Sequence, residues 1–343
     1  MSCNSVWFPG NKKIRMPNAL LPLIVFILCS NVVAILSPER CDMCTCHVVD
    51  QVLLLNCSGI KTRQGDDSGM IRQPYFESFA DYRFKTMEAH FERNRIKKVS
   101  RLFLAKVNSL SLAHNEITTI DEGAFMKITT LKTLSLKYNK LKTLDEKSFN
   151  GLRNLESLDL SHNHITNLSP ITFSLLKSLK TISLSHNAIE KLEDEIFSIP
   201  TLRTIDLSFN SILLIGSNVF GKAYNLRTLN LSNNNISKID DYQIPSLETL
   251  DLSCNNKVTI GPNAFTSFKS LKWLSLSSND LEEVPSQVEM LDELRVLHLE
   301  GNVIKDLGDP VKRLRLEEFY VQNNSLQNFY VDAARLRVSN LQI

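Results

Sequence analysis

The sequence predicts an α/β solenoid, a horseshoe of stacked coils with a parallel sheet lining its concave side and a mostly irregular convex side. Three observations carry that expectation. The spacing of apolar residues in Leu155-Glu-Ser-Leu158-Asp-Leu160-Ser-His-Asn163-His-Ile165 returns along the chain from Val107, Leu131, Leu179, Leu202, Leu226, Leu247, Leu271, Leu294 and Leu316. An asparagine holds the same place in every copy: Asn115, Asn139, Asn163, Asn187, Asn210, Asn234, Asn255, Asn279, Asn302 and Asn324. A phenylalanine row, Phe125, Phe149, Phe173, Phe197, Phe220 and Phe265, falls midway between them. From Val107 onward the starts lie 24, 24, 24, 23, 24, 21, 24, 23 and 22 residues apart, and a weaker copy runs from Thr86 to Ile96 with Asn94.

Each position has a physical reason. The Leu-x-Leu core is a short strand whose alternate side chains point inward. The asparagine amide satisfies backbone groups where the chain turns off the strand, so these residues are expected to stack as a ladder. The phenylalanines fill the convex side, as core rather than as a ligand box. Leu247 to Lys257 keeps the pattern until its last position. A single coil cannot bury its own apolar face, so stability has to come from stacked neighbours. Eleven copies and a partial twelfth over 86–343 identify the chain as a leucine-rich repeat array.

The N-terminus reads as a secretory signal peptide over 1–34. Lys12, Lys13 and Arg15 precede an apolar run from Ala19 to Cys29, and Val32 and Ala34 suit a cleavage site before Ile35. The alternative is an uncleaved anchor over 19–36, at the lower length limit for a membrane helix. Ser30, Asn31, Pro17 and Pro22 favour cleavage. In both cases the remainder is expected outside the cell, secreted or, with an uncleaved anchor, membrane-attached.

Cys41, Cys44, Cys46 and Cys57 form a cluster in a cysteine-rich cap over 35–60. In an oxidising compartment they read as two disulfides, with three pairings open. A structural zinc site is the competing reading, and the single residue between Cys44 and Cys46 suits it poorly. The spacing Cys41-x2-Cys44-x-Cys46-x10-Cys57 resembles the cysteine N-cap of extracellular leucine-rich repeat proteins. Toll-type receptor ectodomains, secreted insect immune proteins and small leucine-rich proteoglycans belong to that group. The resemblance implies Cys41–Cys46 and Cys44–Cys57 bonds closing the apolar end under Val52–Leu55. Residues 61–85, with Asp66-Asp67-Ser68-Gly69, fit no repeat and suggest a surface loop.

Composition narrows function further. The chain has 343 residues, with 39 Lys plus Arg against 37 Asp plus Glu. Without the three basic residues of the first 34 positions, 36 basic groups face 37 acidic ones, and no basic block appears. Nucleic acid is therefore not an expected partner. No Gly-x-Gly, His-Glu-x-x-His or Gly-x-Ser-x-Gly motif occurs, so an enzyme is not expected, nor a cofactor. His90, His114, His162, His186 and His298 fall on expected strand-face positions. His162 and His186 stand on adjacent strands about 4.8 Å apart, but no carboxylate joins that row, so no metal site is expected.

The concave sheet is the remaining functional surface, an open arc of roughly 50 Å for a protein partner. The row before the ladder asparagines reads Arg93, His114, Tyr138, His162, His186, Phe209, Asn233 and Cys254. Mid-strand positions add Asp159, Asp206 and Asp251, and strand starts add Lys132, Lys180, Arg203 and Arg227. Tyr138, Asp159, His162, His186, Asp206 and Phe209 are the candidate ligand contacts, because consecutive repeats contribute aromatic and imidazole groups to one row. A solvated, charge-mixed surface is the plainer alternative.

Two functions survive. One is extracellular recognition through the concave face, with immune recognition (innate immunity) and cell adhesion implied by the resemblance. The other is a structural matrix component similar to the small leucine-rich proteoglycans, for which Ser68-Gly69 is a weak attachment site. Sequons occur at Asn56, Asn167, Asn230, Asn235 and Asn323, and Asn167, Asn230 and Asn235 are the expected glycan acceptors. A glycan at Asn230 would shield the C-terminal half and leave ligand contacts between His90 and Phe209. Cys254, the odd cysteine, suggests a disulfide-linked dimer. Val338, Leu341 and Ile343 open a further repeat, so the chain is expected to stop short of its natural end.

Overall fold

The computed structural model describes residues 6–7, 13–14, 45–59, 85–102, 104, 106–255, 257–327 and 338–342. The expected signal peptide apart from the antiparallel pair Val6–Trp7 and Lys13–Ile14, the alternative anchor over 19–36, Cys41, Cys44, nearly all of the 61–85 loop and the side chain of Cys46 lie outside the described residues. No helix among the described residues is long and apolar enough to cross a membrane.

Among the described residues one curved sheet holds fourteen strands. In chain order its strands are β1 (Thr45–Val49), β2 (Val52–Asn56), β3 (Thr86–His90), β4 (Val107–Ser111), β5 (Thr133–Ser135), β6 (Ser157–Asp159) and β7 (Thr181–Ser183). They continue as β8 (Thr204–Asp206), β9 (Thr228–Asn230), β10 (Thr249–Asp251), β11 (Trp273–Ser275), β12 (Val296–His298), β13 (Leu316–Tyr320) and β14 (Val338–Gln342). Spatial order equals chain order. Every pairing from β2 to β14 is parallel, whereas β1 folds back antiparallel on β2. That extra strand has no signature in the repeat pattern.

Register is set by the central apolar residue of each strand. Leu134, Leu158, Ile182, Ile205, Leu229, Leu250, Leu274, Leu297, Phe319 and Leu341 sit directly opposite one another in successive pairs. A one-residue slip would turn this whole row to solvent. The irregular spacing of the first repeats is absorbed by a bulge where Met87 and Glu88 meet β4.

The convex side is irregular, as expected. Among the described residues it holds no α-helix, only the 3₁₀ segments Ser286–Met290 and Pro310–Arg313 and two-residue strand pairs such as Lys191–Leu192 with Leu214–Ile215. Beneath it, Phe125, Phe149, Phe173, Phe197 and Phe220 stack at 6.0–6.3 Å, all essentially buried. Tyr242 takes the next place edge-on to Phe220, in the 21-residue repeat that lacks a phenylalanine, and burial pushes its hydroxyl up to about 12. Gly151, beside Phe149, holds φ +99°, and a Cβ there would lie 2.6 Å from the Met126 Cα. Only glycine lets these two coils approach so closely.

The ladder forms as expected. Asn163 shows the pattern: its Nδ2 donates to the carbonyls of Leu136 (3.0 Å), Leu160 (3.0 Å) and Ser161 (3.3 Å). Its Oδ1 accepts the Leu141 N–H of the preceding coil at 3.0 Å. Asn94 of the weaker first copy reaches back to the Cys57 carbonyl at 2.9 Å. The break at Lys257 is real. Lys257 is exposed with φ +50°, and Val258 enters the core one residue late.

Candidate ligand-binding face

After each strand the chain runs three residues and turns sharply to bury the ladder asparagine. The residue before that asparagine takes a left-handed backbone at every coil. Arg93, His114, Tyr138, His162, His186, Phe209, Asn233, Cys254, Ser278 and Asn323 have φ between +53° and +56°, and Gly301 has +70°. Left-handed backbone costs an L-residue roughly 1–2 kcal/mol and is tolerated best by Gly, Asn, Asp and His. The column's Gly301, Asn233, Asn323 and three histidines are its sequence signal. Tyr138 and Phe209 are the unusual members.

This corrects one expectation. His90 and His298 close strands β3 and β12, but His114, His162 and His186 lie three residues past strand ends, on the edge of the concave face. The cause is that the strands stop early so that the asparagine amide can replace ladder bonds.

The turn gives these side chains one shared direction. His114, Tyr138, His162, His186 and Phe209 stack in an unbroken column, with centroids 4.3, 4.1, 4.1 and 4.3 Å apart and planes within 11° of parallel. Backbone bonds between coils hold the spacing, for example Tyr138 N–H to the Ser161 carbonyl at 3.0 Å and His162 N–H to the Ser185 carbonyl at 2.9 Å. Tyr138 and Phe209 remain 42% and 48% exposed, so the strip presents ring edges to solvent. Partial burial of His162, and then the neighbouring His186, hold its imidazole below the ordinary value and favour the neutral ring. The central ring therefore stacks uncharged at neutral pH.

Asp159 and Asp206 have a local task that the sequence pattern does not announce. Asp159 Oδ1 accepts the Ser161 N–H (3.0 Å) and hydroxyl (2.6 Å), and Asp206 Oδ1 accepts the same groups of Ser208 at 3.1 and 2.7 Å. Both remain partly exposed on the concave face beside the strip. Of the strand-start cations, Lys132 and Lys180 bracket Glu156 (3.2 and 2.5 Å) and Arg227 meets Glu248. Lys132, Lys180 and Arg227 are thus paired with carboxylates at the strand starts, while Asp159 and Asp206 beside the strip are held by serines. Among the described residues no group of three His, Cys, Asp or Glu is placed to hold a metal.

Asn167 and Asn235 are exposed, and Asn230 is half-buried with its Oδ1 accepting the Ser232 N–H at 3.0 Å. Cys254 is a free, exposed thiol. Cys57 is buried and disulfide-bonded. Sequence reasoning passed over Trp273 and Tyr320, which join His298 in a second aromatic group on the same sheet. His298 and Tyr320 close β12 and β13 and pair in register, whereas Trp273 opens β11, so no single column of the repeat announces the group.

The family model for leucine rich repeats matches residues 105–165, 153–212 and 245–304, and a two-copy form matches 224–264. Together they cover more than half of the chain, which belongs to the leucine-rich repeat family. Proteins of this family are commonly protein-binding scaffolds rather than enzymes. A comparison with curated proteins finds no match.

Solved structures share the fold. A leucine-rich repeat protein of Leptospira interrogans is 28% identical, with a TM-score of 0.62 over 74% of this chain and 71% of that one. The APL1 leucine-rich repeat domain is 25% identical, with a TM-score of 0.58 over 78% and 69%. Drosophila Toll, solved in complex with Spätzle, is 20% identical with a TM-score of 0.60 over 71% of this chain. The chain spans 38% of the length of that Toll chain, and at this identity the likeness carries the fold alone.

Proposed function

We propose that the chain is an extracellular recognition protein that binds a protein partner through its concave face and is not an enzyme. The observation that carries this reading is the exposed stack of His114, Tyr138, His162, His186 and Phe209, continued onto the strands by Asp159 and Asp206. Rings held in a costly backbone conformation form a rigid, partly apolar strip that loses little side-chain freedom on binding. Aromatic anchors of this kind dominate protein interfaces.

The extracellular setting rests on the basic–apolar–small N-terminus and the Cys41, Cys44, Cys46, Cys57 cluster, paired Cys41–Cys46 and Cys44–Cys57. Glycans on Asn167, Asn230 and Asn235 belong to the same reading. Immune recognition and adhesion are both uses of such a face. Cys254 gives the chain a means of disulfide-linked pairing.

The test is capture from extracellular fluid on the immobilised chain, then diethyl pyrocarbonate labelling of the complex. Partner binding should protect His114, His162 and His186 while leaving the exposed His164 reactive. A captured protein that leaves the three histidines as reactive as in the free chain would contradict the placement.

A further inference from the structure

The strand-start edge of the sheet carries a line of cations that the chain order hides, because its members are 21–24 residues apart. Lys132, Lys180, Arg203, Arg227 and Lys272 stand immediately before β5, β7, β8, β9 and β11. Only Glu156 and Glu248 interrupt them, before β6 and β10. From Glu156 to Lys272 each backbone N–H in the line donates to the carbonyl of the preceding member at 2.7–2.9 Å, so these positions form one row. Six strand spacings make it roughly 29 Å long.

Both carboxylates are already shared. Glu156 takes Lys132 (3.2 Å) and Lys180 (2.5 Å), and Glu248 takes Arg227 (3.1 Å) and Lys272 (2.9 Å). Arg203, exposed between Lys180 and Arg227, forms no ion pair among the described residues. The turns leading into the strands add the exposed Arg153, Lys177 and Lys269, each three residues ahead of the row. Asp159, Asp206 and Asp251 lie three residues further along their strands, about 10 Å away and beyond the screening length at physiological salt. Past Lys272 the excess ends, since Arg295 is engaged by Glu293 and Glu317.

At its N-terminal end the row opens into a groove of about 530 Å³, where Lys85 and Lys106 join Lys132. The rest of its lining is hydroxyl, amide and one carboxylate: Thr86, Thr130, Ser178, Asn108, Asn154 and Glu156. An occupant has to be long and carry negative charge at short intervals. Guanidinium and ammonium groups bind oxyanions by charge-assisted hydrogen bonds, and the neutral groups between them suit sugar hydroxyls. Single-stranded nucleic acid stacks its bases on rings, and a lipid surface takes apolar side chains. The groove lining has neither.

We propose that this edge, from Lys85 to Lys272, is a docking track for a sulfated polysaccharide chain. The choice of a polysaccharide rests on the extracellular reading above, while the excess of cations stands without it. The track lies at the opposite end of the strands from the His114–Phe209 strip, so both can be occupied at once.

The test is titration of the full chain with a heparin decasaccharide over a series of salt concentrations. Binding should be saturable and weaken steeply as salt rises. Lys180→Gln/Arg203→Gln/Arg227→Gln should bind at least tenfold more weakly and with a smaller salt slope. Lys191→Gln/Lys238→Gln/Lys305→Gln, which removes equal charge from exposed positions outside the track, should bind as the native chain does. Arg203→Gln alone breaks no ion pair, should weaken binding at least threefold, and serves should the triple variant fail to fold. The desulfated decasaccharide should bind at least tenfold more weakly. No saturable binding, equal loss in both triple variants, native affinity in a folded track variant, or equal affinity for the desulfated chain would overturn the proposal. So would equal or tighter binding of a single-stranded DNA decamer or of phosphatidylserine vesicles. Histidine protection by a captured protein should persist in the track variant, so failure of the track and failure of the recognition strip are read separately.

Discussion

Single residues set the shape of every coil. The ladder asparagine is the clearest case, since one amide closes its own turn and ties down the coil before it. Asn163→Ala strands several buried carbonyls and an N–H, and should lower stability by about 2–4 kcal/mol in urea unfolding. The residue before it carries the opposite sign. Ser278 is exposed at φ +54°, so Ser278→Gly should raise stability by about 0.5–1 kcal/mol through relief of left-handed strain.

The composition of this column was legible in the sequence, and its conformation was not. Nothing in a lone Tyr138 or Phe209 announces positive φ, whereas Asn233, Gly301 and Asn323 do once the column is aligned. Asp159 and Asp206 show the reverse. As residue types they promised surface charge, and only the backbone geometry places each beside the serine two positions on.

Titration follows from these contacts. His162 is held below the ordinary imidazole value, so the unfolded chain takes up that proton first. Stability should fall as pH drops through about 6.5 and level off below the folded value. Glu92 is held low chiefly by the Ser111 hydroxyl. Burial acts to raise Glu300, and the His298 hydrogen bond overrides it, leaving that carboxyl low as well. Their stabilisation is present above about pH 4.3 and is lost as pH falls through their lowered folded values. Urea midpoints at pH 7.5, 5.5 and 3.5 should fall in two steps, and a midpoint higher at 5.5 than at 7.5 would contradict this.

At the scale of elements, strands and spine are two rows read from one period. The Leu-x-Leu spacing predicted the strand cores because each inward leucine meets its counterpart in register. The spine was legible as a phenylalanine row, except where Tyr242 enters through a shortened repeat that shifts the spacing. Strand β1 was not legible, because its antiparallel pairing belongs to the cap and not to the repeat. Phe173 is fully buried between Phe149 and Phe197, so Phe173→Ala should cost about 3–5 kcal/mol and open a cavity shared by three coils. Because each coil is stabilised by its neighbours, hydrogen exchange should quicken in the flanking coils as well as in that of Phe173.

For the whole molecule, the two ring columns report curvature. Neighbouring rings are 4.1–4.3 Å apart at the sheet edge and 6.0–6.3 Å apart along the convex spine. The stack of coils bends toward its sheet, and the same bend presses the exposed rings into contact. Repeat architecture thereby turns a column of scattered aromatic residues into one continuous surface. The most direct measurement is the Kd of the captured partner for Tyr138→Asn and Phe209→Asn. Asparagine keeps the left-handed backbone and removes the ring. Both variants should bind at least tenfold more weakly than the native chain, while Tyr224→Ser, removing a ring that is 61% exposed outside the strip, should bind unchanged. Native affinity in both asparagine variants, or equal loss in Tyr224→Ser, would contradict the claim.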